Sequence, residues 1–449
     1  WAPAAEKEPG WRLQDEARRL ERASALAVAA ALQGLREALS ADPACAAAHR
    51  RLADHYAAEV ERAEAARDPG EAERVALLVK AHGGRRGARW LERGGALSLQ
   101  TDPPGATVRC ARQEPAGRRL QLRPLPDLGQ TPLTAVPLPQ GSYLLTLEHP
   151  ACDPVVYPVL IGRGAHWDGV PPGATAPLPI RLPPRGALPP SARYVPAGWT
   201  TLGGDPGALF GGPRQTVWID GFVLDTRPLT NRALLALLDR LDAEGRAAEV
   251  RLPRPRGAPT TAHYRRADTG WAFAPDAEGD LWGLDWPAFS LDWWDAAAIA
   301  TWRAAWTGLP YRLPSEWERE KAARGVDGRL YPWGDAFDPS FCCMRESHAG
   351  RPLPEDSGAR PIDRGPYGHA DLAGNLRDWC LEAAGNEAQL RDGGRLLLQS
   401  PDPASLDPRV IRGGSWLSPP AAVRAASRQN ARPAERSEAI GLRHAFSYG

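Results

Sequence analysis

Asp371-Leu372-Ala373-Gly374-Asn375-Leu376-Arg377-Asp378-Trp379 and, further on, Arg412-Gly413-Gly414-Ser415-Trp416 decide how this chain folds. Working upstream, Tyr331-Pro332-Trp333-Gly334-Asp335 precedes them. Before that stands Arg312-Leu313-Pro314-Ser315-Glu316-Trp317-Glu318, where Ser315 and Glu318 have the S-x-x-E spacing of a helix capping box. Gly325 is placed to end that helix. An earlier helix is predicted from Asp292 to about Trp306, with Trp294, Ile299 and Trp302 on one face. Pro228-Leu229-Thr230-Asn231 opens another, Thr230 or Asn231 serving as N-cap, with Leu234, Leu235 and Leu238 along it. Val217 to Asp225 alternates apolar and polar side chains, as a half-buried strand does. Tyr194-Val195-Pro196-Ala197-Gly198-Trp199 leads into it, and Ile440-Gly441-Leu442-Arg443 closes the series.

The bulk composition is that of an ordinary globular chain. Its 449 residues suffice for two to four domains. Fifty-five Lys and Arg against 54 Asp and Glu leave a net charge of +1, so nothing points to nucleic acid or to an acidic membrane surface. No stretch approaches the ~18 apolar residues that span a bilayer. The six cysteines show no metal-ligand spacing and are too thinly spread for a secreted disulfide framework. Reduced thiols in a cytosol are the expectation; a periplasmic or surface location stays open if a membrane span precedes the chain. The chain starts at Trp1, without an initiator Met, and reads as a fragment or a processed product. Most of the 17 Trp lie after residue 199, so the two halves are built differently.

Residues 1–90 read as helical. Apolar positions recur at three and four residues, and Asp42-Pro43 breaks the run between Leu39 and Ala47. The helix–Asp-Pro–helix pattern resembles a tetratricopeptide hairpin; a plain helical spacer is the alternative. Residues 91–165 read as β-structure, with a core of Leu97, Leu99, Val108, Leu145 and Leu147. The turn Pro103-Pro104-Gly105-Ala106, the segment Gly129-Gln130-Thr131-Pro132-Leu133 and the strand entry Gly141-Ser142-Tyr143 resemble a PEGA domain, a small β-sandwich with a spacer or adhesive role. Residues 166–192 are rich in Pro and Gly and read as a linker.

Taken in order, the motifs from Tyr194 to Arg443 resemble the formylglycine-generating-enzyme family over residues 193–449. The expected architecture is therefore multidomain α+β: helical hairpins, a small sandwich, and a C-type-lectin-like domain with much irregular structure. The resemblance implies an oxidase holding copper between two cysteines after the Gly-Gly-Ser motif. Here the first position is Ser418 and the second falls near Val423, in a segment shorter than in the oxidases, and no Cys follows Cys380. A monovalent copper ion selects soft thiolates, so copper is not expected. Arg377 stands where the oxidases carry an aromatic residue. The adjacent Cys342 and Cys343 point opposite ways in an extended chain and read as free thiols. His49 and His55 fall on different faces of a helix, which argues against the iron site of a sulfoxide synthase.

The family also implies a calcium site at Asp371, Gly374, Leu376 and Asp378, whose carboxylates and carbonyls suit a hard cation. The alternative is that the acids only cap a turn. The expected binding face comprises Arg377, Ser415, Trp416, Ser418, Arg424, Arg428, Asn430 and Arg432, with Trp416 either a core anchor or a pocket wall. No kinase signature is present in this chain. It resembles the C-terminal region of bacterial serine/threonine kinases. The expected function is non-catalytic recognition of a protein, peptide or small molecule, downstream of a kinase domain. A variable protein of a diversity-generating retroelement and an oxidoreductase of the formylglycine-generating type are the alternatives.

Overall fold

A computed structural model describes residues 3–66, 68–246, 264–273, 275, 279, 282–385, 390–399 and 401–448. The chain divides into two compact units, Trp1–Gly94 and Gly95–Gly449.

The first unit is three helices: α1 (Ala4–Ala41), α2 (Ala46–Ala66) and α3 (Pro69–Leu91). α1 ends where Asp42 turns extended, at φ −138°. Asp68 caps α3 by accepting from the Glu71 N–H at 2.9 Å. Leu52, Tyr56, Val60, Val75 and Val79 form a small core that Leu32, Leu35 and Leu39 of α1 cover. Upstream of that contact α1 is bare: Leu13 is 73% and Leu20 56% exposed. His49 meets His82 of α3, Nδ1 to Nδ1, at 3.0 Å, and His55 pairs with Glu59 at 3.2 Å, so the two histidines face different partners.

The second unit begins with two sheets. Strands 119–125, 107–116, 141–148 and 155–161 form an antiparallel sheet in that order, and 133–138, 95–99 and 166–167 form the other. The alternation along Gly141–Glu148 sends Tyr143, Leu145 and Leu147 inward. They join Leu97, Leu99, Val108 and Val159 in one core.

That core does not stop at residue 165. It continues through Ile180, Leu182, Ala192 and Tyr194 to Val223, Tyr311 and Phe446. Residues 166–192 thus run beside these two sheets as part of their packing: strand 180–181 lies parallel to 101–102, and Ile180 and Leu182 are buried. Polar contacts tie the same parts together. Arg329 donates to Gln113 at 2.8 Å, Ser142 to Asp327 at 2.8 Å, and the Leu120 N–H to the Trp333 carbonyl at 2.7 Å.

Among the described residues beyond 192 the elements are short, with three small sheets, a hairpin, helices α4 (Asn231–Ala243), α5 (Trp293–Thr307) and α6 (Glu316–Arg324), and long loops. Thr230 caps α4, Asp292 and Asp295 form a capping box on α5, and Gly308 ends α5 at φ 72°. Ser315 and Glu318 form the expected box on α6. Strand 445–447 pairs with 222–225, which closes the domain end to start.

α6 is the hub. Its sequence, Glu316-Trp317-Glu318-Arg319-Glu320-Lys321-Ala322-Ala323-Arg324, has the look of a solvent-facing helix, yet all but Trp317 are buried. Each charge finds a partner. Glu316 takes Arg412 and Arg428, Glu318 takes Arg312, and Glu320 takes Arg324 and Arg412. Lys321 donates to the carbonyls of Pro196, Gly198 and Ile219, and burial pulls it down to about 7.

Candidate functional site

The loop 371–376 is built by close backbone approach. A Cβ on Gly374 would sit 2.3 Å from the Cys343 carbonyl oxygen, and one on Gly414 would sit 2.3 Å from that of Ala373. Only glycine fits either place. In return, the Gly414 N–H donates to the Ala373 carbonyl at 2.9 Å, the Trp416 N–H to Asn375 at 2.8 Å, and the Asn375 N–H to Cys343 at 2.8 Å. The Asp363 carboxylate gathers the N–H groups of Leu372, Ala373 and Gly374, while burial and neighbouring Asp371 push it up to about 7. The two motifs are thus one object, the Gly-Gly-Ser segment lying against the Asp371–Asp378 loop.

At Ser418 and Val423, where the resemblance expects cysteines, the chain has a hydroxyl and a hydrocarbon. Ser418 is buried; its Oγ accepts from the Ser415 N–H at 2.8 Å and from Arg377 at 2.9 Å. Val423 is buried among Tyr331, Trp333, Cys342, Met344 and Ala373. Neither supplies a thiolate, so the residues present do not fit copper(I). Arg377 is held down by burial, and its Nε has no hydrogen-bond partner.

For the calcium set, Asp378 Oδ2 accepts from Arg319 Nε at 2.6 Å and from Arg443 Nε at 2.8 Å, while Oδ1 is buried with no partner. Asp371, at φ 52°, accepts through Oδ2 from Ser357 Oγ at 3.0 Å and the Gly358 N–H at 2.8 Å. One buried orphan oxygen on Asp378 is what a cation can satisfy, and the two guanidiniums beside it oppose one.

The expected binding face is only partly assembled. Arg424 is locked to Asp205 by bonds of 2.7 and 2.8 Å and reaches the Tyr331 hydroxyl at 2.9 Å. Arg428 grips Glu316 at 2.7 and 2.9 Å. Both are structural ion pairs and not outward anchors. Trp416 is buried, donates to the Glu438 carbonyl at 3.0 Å and packs edge-on against Trp282. Its place is the core. Asn430 and Arg432 remain exposed, as does Leu417 at 45%. Sequence reasoning missed Cys343, His348 and Glu355, whose ligating atoms all lie within 4.8 Å of one another. The only sequence signal is the spacing Cys-x4-His-x6-Glu, which no common motif uses.

Residues 183–447 match the family model of the sulfatase-modifying factor enzyme 1-like domain. The mouse protein Inactive C-alpha-formylglycine-generating enzyme 2 is 27% identical over 295 residues, 58% of this chain and 87% of that protein. Serine/threonine-protein kinase pkn1 of Chlamydia pneumoniae is 27% identical over 236 residues, 51% of this chain and 34% of the kinase. The chain therefore spans about a third of that kinase's length. Among solved structures, PvdO from Pseudomonas aeruginosa aligns with a TM-score of 0.45 and 24% identity, covering 57% of this chain and 94% of that one.

Proposed function

Because the chain belongs to the sulfatase-modifying factor enzyme 1-like family, we propose that it is a non-catalytic recognition region of a bacterial signalling protein, following a serine/threonine kinase domain. One observation carries the non-catalytic part: Ser418 and Val423 stand where the family's oxidases hold copper, and both are buried in a closed hydrogen-bonded and apolar setting. The similarity to a protein named inactive supports it. The similarity to Chlamydia kinases supports the signalling context. In this reading the exposed Leu417, Asn430 and Arg432 contact a protein, peptide or small-molecule ligand, and Arg377 with Ser418 shapes the floor. The PEGA-like sandwich and tetratricopeptide-like helices serve as spacers. Calcium, if bound by Asp371, Asp378 and the carbonyls of Gly374 and Leu376, would act by fixing the loop.

The test is to load the purified chain with copper(I) and supply a cysteine peptide and oxygen. No stoichiometric copper and no oxygen consumption are expected. Stoichiometric copper with peptide turnover overturns the reading. For the kinase context, the upstream reading frame is expected to encode a kinase signature; a frame without one overturns that part. For calcium, millimolar Ca2+ is expected to raise the melting temperature relative to a chelator, since a ligand of the folded state stabilises it. An unchanged melting temperature removes the ion.

A further inference from the structure

We propose that Cys343, His348 and Glu355 form a binding site for a zinc-class divalent transition metal, built from residues other than Ser418, Val423, Asp371, Gly374, Leu376 and Asp378. The donor set is a thiol, an imidazole and a carboxylate, the three ligand types that zinc accepts. Cys343 Sγ lies 3.7 Å from His348 Nε2. Two ligands at about 2.3 and 2.0–2.1 Å from a tetrahedral zinc would be roughly 3.5–3.6 Å apart. The pair already stands close to that separation, and the Glu355 carboxylate lies within 4.8 Å of both.

The surroundings hold the three in place. Ser347 Oγ lies within hydrogen-bond distance of the carbonyls of Pro339 and Cys342, which share its one proton, and accepts from the Met344 N–H, which folds the 344–348 turn back and brings His348 to Cys343. Asn375 clamps the other side. Its N–H donates to the Cys343 carbonyl at 2.8 Å, its side-chain amide donates to the Glu355 carbonyl at 3.0 Å, and its Oδ1 accepts from the Glu355 N–H at 3.2 Å. One residue therefore fixes the backbones of two ligands. Arg360 holds both oxygens of the Glu355 carboxylate, Nε to Oε2 at 2.7 Å and Nη2 to Oε1. A carboxylate has about four lone-pair sites, so it can keep this partner and still bind a metal. Such outer partners are a regular part of metal sites.

Cys343 is 2% exposed and donates its thiol proton to the Leu353 carbonyl at 3.4 Å. Metal binding replaces the S–H bond by an S–metal bond and releases that proton to solvent. Three protein ligands leave the fourth position for water or for a group of the bound ligand. The site lies beneath the Gly-Gly-Ser segment, since Cys343 packs with Trp416. Occupation would lock the 343–355 loop under the exposed face.

The test uses the whole reduced chain titrated with cobalt(II). One equivalent is expected to give a thiolate-to-cobalt charge-transfer band, bleached by zinc. Cys343→Ser should abolish the band, and Cys342→Ser should keep it, because Cys342 packs in a different cluster with Tyr331 and Val423. His348→Ala, at a half-buried turn that tolerates truncation, should weaken binding by more than the about 10–100-fold typical of losing an outer partner. Circular dichroism checks that each variant is folded. No band in the wild type, a band that survives Cys343→Ser, or unchanged affinity in His348→Ala overturns the site.

Discussion

α6 and the N-terminal part of α1 invert the usual rule of inside and outside. α6 is almost wholly charged and lies in the interior. α1 carries Trp11, Leu13, Leu20 and Leu26 and shows them to water within its own unit. The difference lies in partners, not in polarity. A buried ion is tolerated when its charge and hydrogen bonds are matched, and α6 sits where two sheets deliver arginines and carbonyls to it. An exposed leucine costs little when nothing is arranged to cover it. The interior of the C-terminal domain is thus specified by pairing, whereas the helical unit is specified by a small oily seam.

The largest expected effect breaks that pairing. Asp378→Asn leaves Arg319 and Arg443 buried without their shared carboxylate. It should destabilise the second unit by about 3–5 kcal/mol, read as a shift in its urea midpoint. A loss under ~1 kcal/mol would mean that the arginine pair is satisfied by carbonyls alone. Next is the oily seam. Val75→Ala removes two methyl groups' worth of burial from the helical core and should cost about 2 kcal/mol, in the first unit only.

A third effect depends on pH. His369 is pulled down to about 3 by burial, with Arg443 adding to it. Between about 3 and its ordinary 6.5 the unfolded chain binds the proton and the folded chain does not, so stability falls as the pH drops through that window. His369→Gln should flatten the slope by up to about 1.4 kcal/mol per pH unit, or roughly 1.0 at pH 6. Urea unfolding at pH 4, 5 and 6 measures it, and identical slopes would show that His369 takes up its proton while folded. Asp363, pushed up to about 7, works in the other direction: its share of stability is present below its ordinary value and fades as the pH rises through 7. The smallest effect sharpens the contrast. Leu20→Ser on bare α1 should change stability by less than about 0.5 kcal/mol.

Much of the fold was legible because it rests on local signals. The capping box at Ser315 and Glu318, the stop at Gly325 and the inward alternation of Leu145 and Leu147 all depend on neighbours in sequence. The site was less legible. Whether an arginine points to a ligand or to a carboxylate depends on distant residues. Arg424 meets Asp205, 219 residues away, and Arg428 meets Glu316, 112 away. The 166–192 stretch reads as a linker because two isolated anchors, Ile180 and Leu182, make no periodic pattern. Cys343 was discounted beside Cys342 because its partners, His348 and Glu355, come together through a turn that no periodicity announces.

The shared interior of residues 95–449 limits how this gene can have been assembled. In this chain a breakpoint between residues 165 and 192 would strip apolar cover from both sides of one core. A cut at Gly94–Gly95 leaves that core whole.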